Sequence, residues 1–246
     1  MSTPTFHGAK QNGVALALLL SVFIVASCGL AYELLAAALA SHLLGDSITQ
    51  FSTVIGTYLF AMGIGSAMSR YLDREVENFV RIEILVAICG GAATAGLSML
   101  FAYAPDSFRI ALYLIVGLLG ILTGLEIPLV MRILGNRLSL KDLVSHVLTF
   151  DYLGALAVSI AFPLFVVPQM GLIRGAFFFG LINALVGVAC VWLFQKELRR
   201  VWMWWVGALA AVLFTTAGMV WANNISTRAE QAMFGNDIIL AENTPY

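Results

Sequence analysis

The sequence predicts an all-α fold, a polytopic bundle of seven transmembrane helices, and three observations carry that prediction. Mean hydropathy is +0.93, only 11% of residues are charged, and no Lys or Arg occurs between Gln11 and Ser69. Soluble domains do not have this composition, because so much apolar surface cannot all be hidden in one core. Windows long enough to cross a hydrocarbon layer of ~30 Å fall at 14–43, 50–69, 80–104, 109–131, 147–168, 172–194 and 202–222.

Taken in order, each span has its own mark. The first follows a polar leader with Lys10 and contains Ala38-Leu39-Ala40, which resembles a signal cleavage site. Its apolar run is about twice a signal h-region, so it reads as a retained helix. The second carries Gly56, Gly63, Gly65 and Ser66 at helical spacing, the fourth Gly117, Gly120 and Gly124, and the fifth Gly154, Ala155 and Ser159. Stripes of small residues of this kind let helices approach closely in a bilayer. Cys28, Cys89 and Cys190 are widely spaced, form no C-x-x-C pair and read as small apolar packing residues. The seventh span opens in a crowd of Trp192, Trp202, Trp204 and Trp205 and closes at Trp221. These are read as interfacial anchors that bind nothing.

Basic residues fix the orientation. Lys10, then Arg70, Arg74 and Arg81, then Arg132, Arg137 and Lys141, then Lys196, Arg199 and Arg200 occupy alternate connections, whereas the other face receives only Arg109, Arg174 and Arg228. The positive-inside rule places the richer face in the cytoplasm. The expected location is a bacterial inner membrane, multi-pass, with the N-terminus cytoplasmic and the C-terminus periplasmic.

Several chemistries are excluded by inventory. A retinal Schiff base needs an intramembrane lysine, and Lys10, Lys141 and Lys196 all lie outside the spans. Bis-histidine haem needs two imidazoles at one depth, yet His42 and His146 fall at opposite ends of their helices. No Walker loop and no strand-linked G-x-G-x-x-G is present, so the chain has no nucleotide cradle of its own. The net charge of -1 says little, since the relevant asymmetry lies between the two membrane faces, and nothing in it points to a nucleic-acid partner. No cofactor and no metal are expected.

Function is sought in the buried carboxylates Glu33, Glu126 and Asp151, because charge inside a bilayer is costly and usually functional. A helical rise of ~1.5 Å per residue places Glu126 and Asp151 roughly 9 to 11 Å to the cytoplasmic side of the span centres, and Glu33 some 7 Å to the other. Two polar sites are therefore expected in place of one, with Glu126 and Asp151 sharing the first on facing helices. Pro128 removes a main-chain donor and frees the carbonyl of Gly124, near Glu126 and Thr123. A carboxylate beside a freed carbonyl suits a cation or a proton. The candidate substrate- or cation-binding residues are thus Glu126, Asp151, Glu33, Thr123 and Tyr152. The plainer alternative ties Glu126 and Asp151 to Arg70, Arg132, Tyr58 or Tyr152 as packing devices.

The segments Gly29-Leu30-Ala31-Tyr32-Glu33-Leu34-Leu35, Gly124-Leu125-Glu126-Ile127-Pro128-Leu129, Asp151-Tyr152-Leu153-Gly154-Ala155-Leu156 and Phe162-Pro163-Leu164 through Pro168 resemble the membrane half of transmembrane spermidine-synthase-like proteins, the polyamine aminopropyltransferases. In that family a seven-helix module precedes a soluble domain whose first strands run into a T-P-Y-Q-like motif, and Glu242-Asn243-Thr244-Pro245-Tyr246 resembles its beginning. The resemblance implies transfer of an aminopropyl group from decarboxylated S-adenosylmethionine to putrescine. It places the catalytic aspartate and the glycine-rich nucleoside loop beyond residue 246, so no catalytic residue is named and the chain alone is expected to be inactive.

The expected domain division is 1–222 for the membrane module and 223–246 for a linker and the first strand, around Ile238-Ile239-Leu240, of a truncated or missing soluble domain. A C-terminus outside conflicts with a synthase domain that needs an intracellular nucleoside. Three function classes stand: the membrane domain of an aminopropyltransferase, a polyamine or cation/proton binding or transport module, and a structural subunit of a membrane assembly. The partners expected are the lipid bilayer, a polyamine, a C-terminal synthase-like domain, and a homo-oligomer or membrane complex.

Overall fold

The computed structural model describes residues 6–135 and 139–234. Seven α-helices run in chain order: α1 Phe6–Leu44, α2 Ser47–Met68, α3 Glu75–Tyr103, α4 Pro105–Leu134, α5 Leu140–Ala161, α6 Val167–Leu193 and α7 Val201–Phe234. Among the described residues there is no strand. Among the described residues six helical stretches are long and apolar enough to cross a bilayer, the longest being Leu140–Leu193, which contains both α5 and α6.

Local chemistry explains the boundaries. Gly45 (φ 72) and Asp46 (φ 48) make a left-handed corner between α1 and α2. Asp46 then caps α2: the Thr49 backbone N–H donates to Oδ1 at 3.3 Å and the Thr49 hydroxyl donates to Oδ2 at 2.6 Å. Those two donors hold the Asp46 carboxyl below the usual carboxylate range. Pro105 opens α4 at a position where no backbone N–H is needed, and Ser139 caps α5 by accepting from the Asp142 N–H at 3.2 Å.

The α5–α6 stretch is not one rod. Residues Phe162–Val166, with Pro163 inside, form a π turn, and Gly171 takes φ 70 and ψ 176, a conformation open only to glycine. A Cβ at Gly175 would lie 3.0 Å from Val166 Cγ1, although nine residues of straight helix span about 13 Å. The chain therefore folds back sharply at Gly171.

Packing is built around α1 and α3. Helix α1 contacts α2, α4, α5 and α6, while α3 contacts α4, α6 and α7. The α2–α4 crossing is very close: a Cβ on Gly65 would strike the backbone of Ile121, one on Gly120 would lie 2.7 Å from the Tyr58 carbonyl oxygen, and one on Gly124 would strike the backbone of Met62. Gly154 of α5 sits equally close to the Phe23 carbonyl of α1, where the Ser27 hydroxyl lies 2.8 Å from the Phe23 carbonyl and 2.9 Å from that of Gly154. The small-residue stripes are thus narrower than the spacing implied. Gly56, Gly63 and Gly117 have nothing within 4 Å of an added Cβ, and Ser159 is exposed.

The polar stretch that begins at residue 223 also differs from expectation, because α7 continues through it to Phe234. Ala222, Ile225 and Ala229 share a helical stripe that stays against the bundle, with Ala222 and Ile225 packed against Ile173 and Phe177. Asn223 and Asn224 occupy the exposed side of the same turns. The expected strand at 238–240 lies outside the described residues.

Candidate functional site

One cavity of about 270 Å³ is lined by five of the helices. Each contributes a face written in the sequence: Val22, Val25, Ala26, Gly29, Leu30 and Glu33 recur at helical spacing on α1, Thr123, Glu126, Ile127 and Val130 on α4, and Asp151, Tyr152 and Ala155 on α5. Tyr58, Leu59 and Met62 of α2 close one wall, and Phe79 of α3 adds to the lining. The five residues singled out from the sequence, Glu33, Thr123, Glu126, Asp151 and Tyr152, all border this space.

That arrangement corrects the two-site expectation, since Glu33 shares the cavity with Glu126 and Asp151. Depth counted from span centres misplaces Asp151, because α5 runs from Leu140 to Ala161 whereas its hydropathy window is 147–168. The cavity also takes its lining from several turns of α1 and α4, from Val22 to Glu33 and from Thr123 to Val130, so carboxylates at different depths border one space. Helix α5 also rests mainly on α1 rather than α4. Glu126 and Asp151 thus meet across a cavity and not across a helix–helix seam.

The carboxylates differ in surroundings. Glu33 and Glu126 are buried, at 6% and 5% exposure, while Asp151 is half-buried. Glu126 Oε1 has no hydrogen-bond partner among the described residues, an arrangement that is costly for a charged oxygen unless a counter-charge or proton meets it. Tyr152 is 66% exposed and Leu59 58% exposed, so the lining reaches the surface on α5 and on α2.

Thr123 is already engaged. Its hydroxyl lies 2.9 Å from Tyr58 Oη and 2.9 Å from the Leu119 carbonyl, and Tyr58 Oη donates to the Gly29 carbonyl at 3.0 Å. This relay ties α4 to α2 and α1 and makes Thr123 a positioning residue for the wall.

The arginines considered as packing partners are occupied elsewhere. Arg132 donates to the carbonyls of Ser69 at 2.6 Å, Leu72 at 3.0 Å and Pro128 at 3.4 Å, and Arg70 donates to Tyr71 Oη at 2.7 Å. Among the described residues the one ion pair is Arg74–Glu77, at 3.1 Å.

Behind the cavity lie polar groups that the sequence reading passed over. Glu83 of α3 is fully buried and neither of its carboxylate oxygens has a partner among the described residues. It is an electrostatic neighbour of Glu126, Tyr32 and Cys28. The Tyr32 hydroxyl and both amide atoms of Asn183 are likewise buried without partners among the described residues. Glu83 sits close to the end of its hydropathy window and there reads as interfacial. Its spacing from Phe79, Val80, Val86, Ala87 and Gly90, all buried on α3, is the pattern that reveals it as inward-facing.

The chain is 51% identical over 238 residues to polyamine aminopropyltransferase 2 of Ralstonia nicotianae, an alignment covering 93% of this chain and 46% of the relative. It is 42% identical over 231 residues to the polyamine aminopropyltransferase of Leptospira interrogans, covering 94% and 46%. With polyamine aminopropyltransferase 1 of Streptomyces coelicolor it shares 36% identity over 252 residues, covering 99% and 46%. No family model matches the chain, and no solved structure matches it. Over nearly its whole length the chain is similar to polyamine aminopropyltransferases, and it spans about half the length of the relatives it matches.

Proposed function

We propose that this chain is the membrane-embedded domain of a spermidine-synthase-like protein and that its cavity binds an aliphatic polyammonium ion such as putrescine. The observation that carries the binding reading is the convergence of Glu33, Glu126 and Asp151, from three helices, on one largely apolar cavity. A diamine has ammonium ends joined by methylenes, and this lining offers carboxylates for the ends and Val25, Leu30 and Ile127 for the chain. The relatives' name, polyamine aminopropyltransferase, supplies the ligand class.

Outward-facing apolar side chains support the membrane reading. Phe60, Leu213, Val220 and Trp221 are 72%, 71%, 69% and 60% exposed, and so much exposed apolar surface is stable against lipid rather than water. The reversal at Gly171 divides the longest apolar stretch into two crossings, giving seven in all. With the basic residues on the cytoplasmic face, the N-terminus is inside and the C-terminus outside. A dual reporter fused after Ala241 is expected to give periplasmic phosphatase activity and no cytoplasmic fluorescence, and the reverse pattern rejects seven crossings.

The family reaction, aminopropyl transfer from decarboxylated S-adenosylmethionine to putrescine, needs a nucleoside cradle, and no glycine-rich phosphate or nucleoside motif occurs in residues 1–246. The purified chain is therefore expected to bind radiolabelled putrescine in detergent and to form no spermidine from these substrates. Absence of saturable binding rejects the ligand reading, and measurable turnover reveals a catalytic site within these residues.

A further inference from the structure

A second cavity, of about 840 Å³, lies between the start of α3 and the corner that joins α6 to α7. Its charged side is Arg74, Arg81, Arg199 and Arg200, opposed by the single carboxylate of Glu77, and its apolar side includes Leu85, Met203 and Trp204. We propose that this groove is a binding site for an anionic phospholipid, with the phosphate held by the arginines and the acyl chains lying along Leu85 and Met203.

The local structure holds the groove in shape. Glu77 accepts from Arg74 Nη1 at 3.1 Å and from the Arg199 backbone N–H at 2.9 Å, so the one carboxylate is spent on tying the α6–α7 corner to α3. Among the described residues no carboxylate lies within ion-pair distance of Arg81, Arg199 or Arg200. Trp204 Nε1 donates to the Arg199 carbonyl at 3.1 Å, and its ring lies 5.7 Å from the Arg81 guanidinium. A cation over an aromatic face is held without being neutralised. Arg200 adopts φ 50, a left-handed backbone uncommon outside glycine and frequent where a site fixes its geometry.

Charge and polarity then select the occupant. A free phosphate matches the arginines but not the apolar wall of Leu85 and Met203, which are 40% and 47% exposed. A zwitterionic lipid satisfies the wall but brings its own ammonium to a surplus of guanidinium. An anionic lipid matches both, and basic pockets at the cytoplasmic ends of membrane helices favour such headgroups. Trp204 is then a wall of the site as well as an interfacial anchor.

The inference rests on the membrane orientation proposed above. Its test is native mass spectrometry of the full chain released from mixed phosphatidylcholine–phosphatidylglycerol nanodiscs, with titration of each lipid. Wild type should retain phosphatidylglycerol selectively, and R81Q/R200Q should weaken it about twenty-five-fold, roughly fivefold for each arginine lost. R81K/R200K should retain most of the affinity, and the single Gln variants report the same effect should the double variant fail to fold. Equal retention of phosphatidylcholine, unchanged affinity in R81Q/R200Q, or displacement by millimolar inorganic phosphate overturns the proposal. An inserted chain without lipid preference overturns this site alone. Failure to insert even in phosphatidylcholine overturns the membrane reading and this site with it.

Discussion

Glu126→Gln is expected to lower putrescine affinity by about 3 kcal/mol, roughly a hundredfold, as removal of one partner from a buried charge pair does. Glu126 borders the cavity, is 5% exposed and has one oxygen without a hydrogen-bond partner among the described residues. Replacing its carboxylate by an isosteric amide therefore removes the charge and keeps the shape. Folding should survive, because no arginine is left stranded: Arg132 and Arg70 are engaged by backbone carbonyls and by Tyr71. Asp151→Asn should cost less, about tenfold, because Asp151 is half-exposed and solvent screens its charge. Equilibrium binding of labelled putrescine, beside thermal unfolding of the same samples, separates the outcomes. Wild-type affinity in Glu126→Gln makes the carboxylates packing devices, and a collapse of stability with binding makes the test one of folding.

Much of the fold was legible because helices long and apolar enough to cross a bilayer stand out in composition. The helices were found, and the carboxylates Glu33, Glu126 and Asp151 singled out from the sequence all border the cavity. What the sequence hid was relative placement. Hydropathy windows do not locate helix ends: α3 begins at Glu75, five residues before its window, and α7 runs to Phe234 past a polar stretch. Depth counted from those windows misplaced Asp151, and depth alone does not reveal that one cavity spans several helical turns and takes in Glu33. Glu83 was missed for the same reason, since a carboxylate near a window edge reads as interfacial until the buried pattern of Phe79, Val86 and Gly90 is laid out around it. Neighbour relations were not legible either, for nothing in the sequence says that α5 packs on α1 rather than α4.

Gly124→Leu is expected to destabilise the bundle by about 3 kcal/mol, at the upper end of what overpacking costs. Even the first carbon of the new side chain would strike the Met62 backbone on α2. Backbone has no rotamer to yield, so the helices must part. Parting loses the contacts made where Gly65 meets Ile121 and Gly120 meets Tyr58, and close approach of this kind is the main source of helix association in lipid. The same molecule offers its control: Gly63 lies on α2 with nothing within 4 Å of an added Cβ, so Gly63→Leu should leave the unfolding temperature unchanged. The crossing also shapes the cavity, because Tyr58 and Thr123 face each other across it at 2.9 Å. Gly124→Leu should therefore weaken putrescine binding along with stability, although it removes no charge. Thermal unfolding in detergent and binding on the same preparations test both consequences. If Gly124→Leu unfolds at the wild-type temperature, the α2–α4 approach is looser than the structure shows, and the cavity wall it forms is not fixed by these glycines.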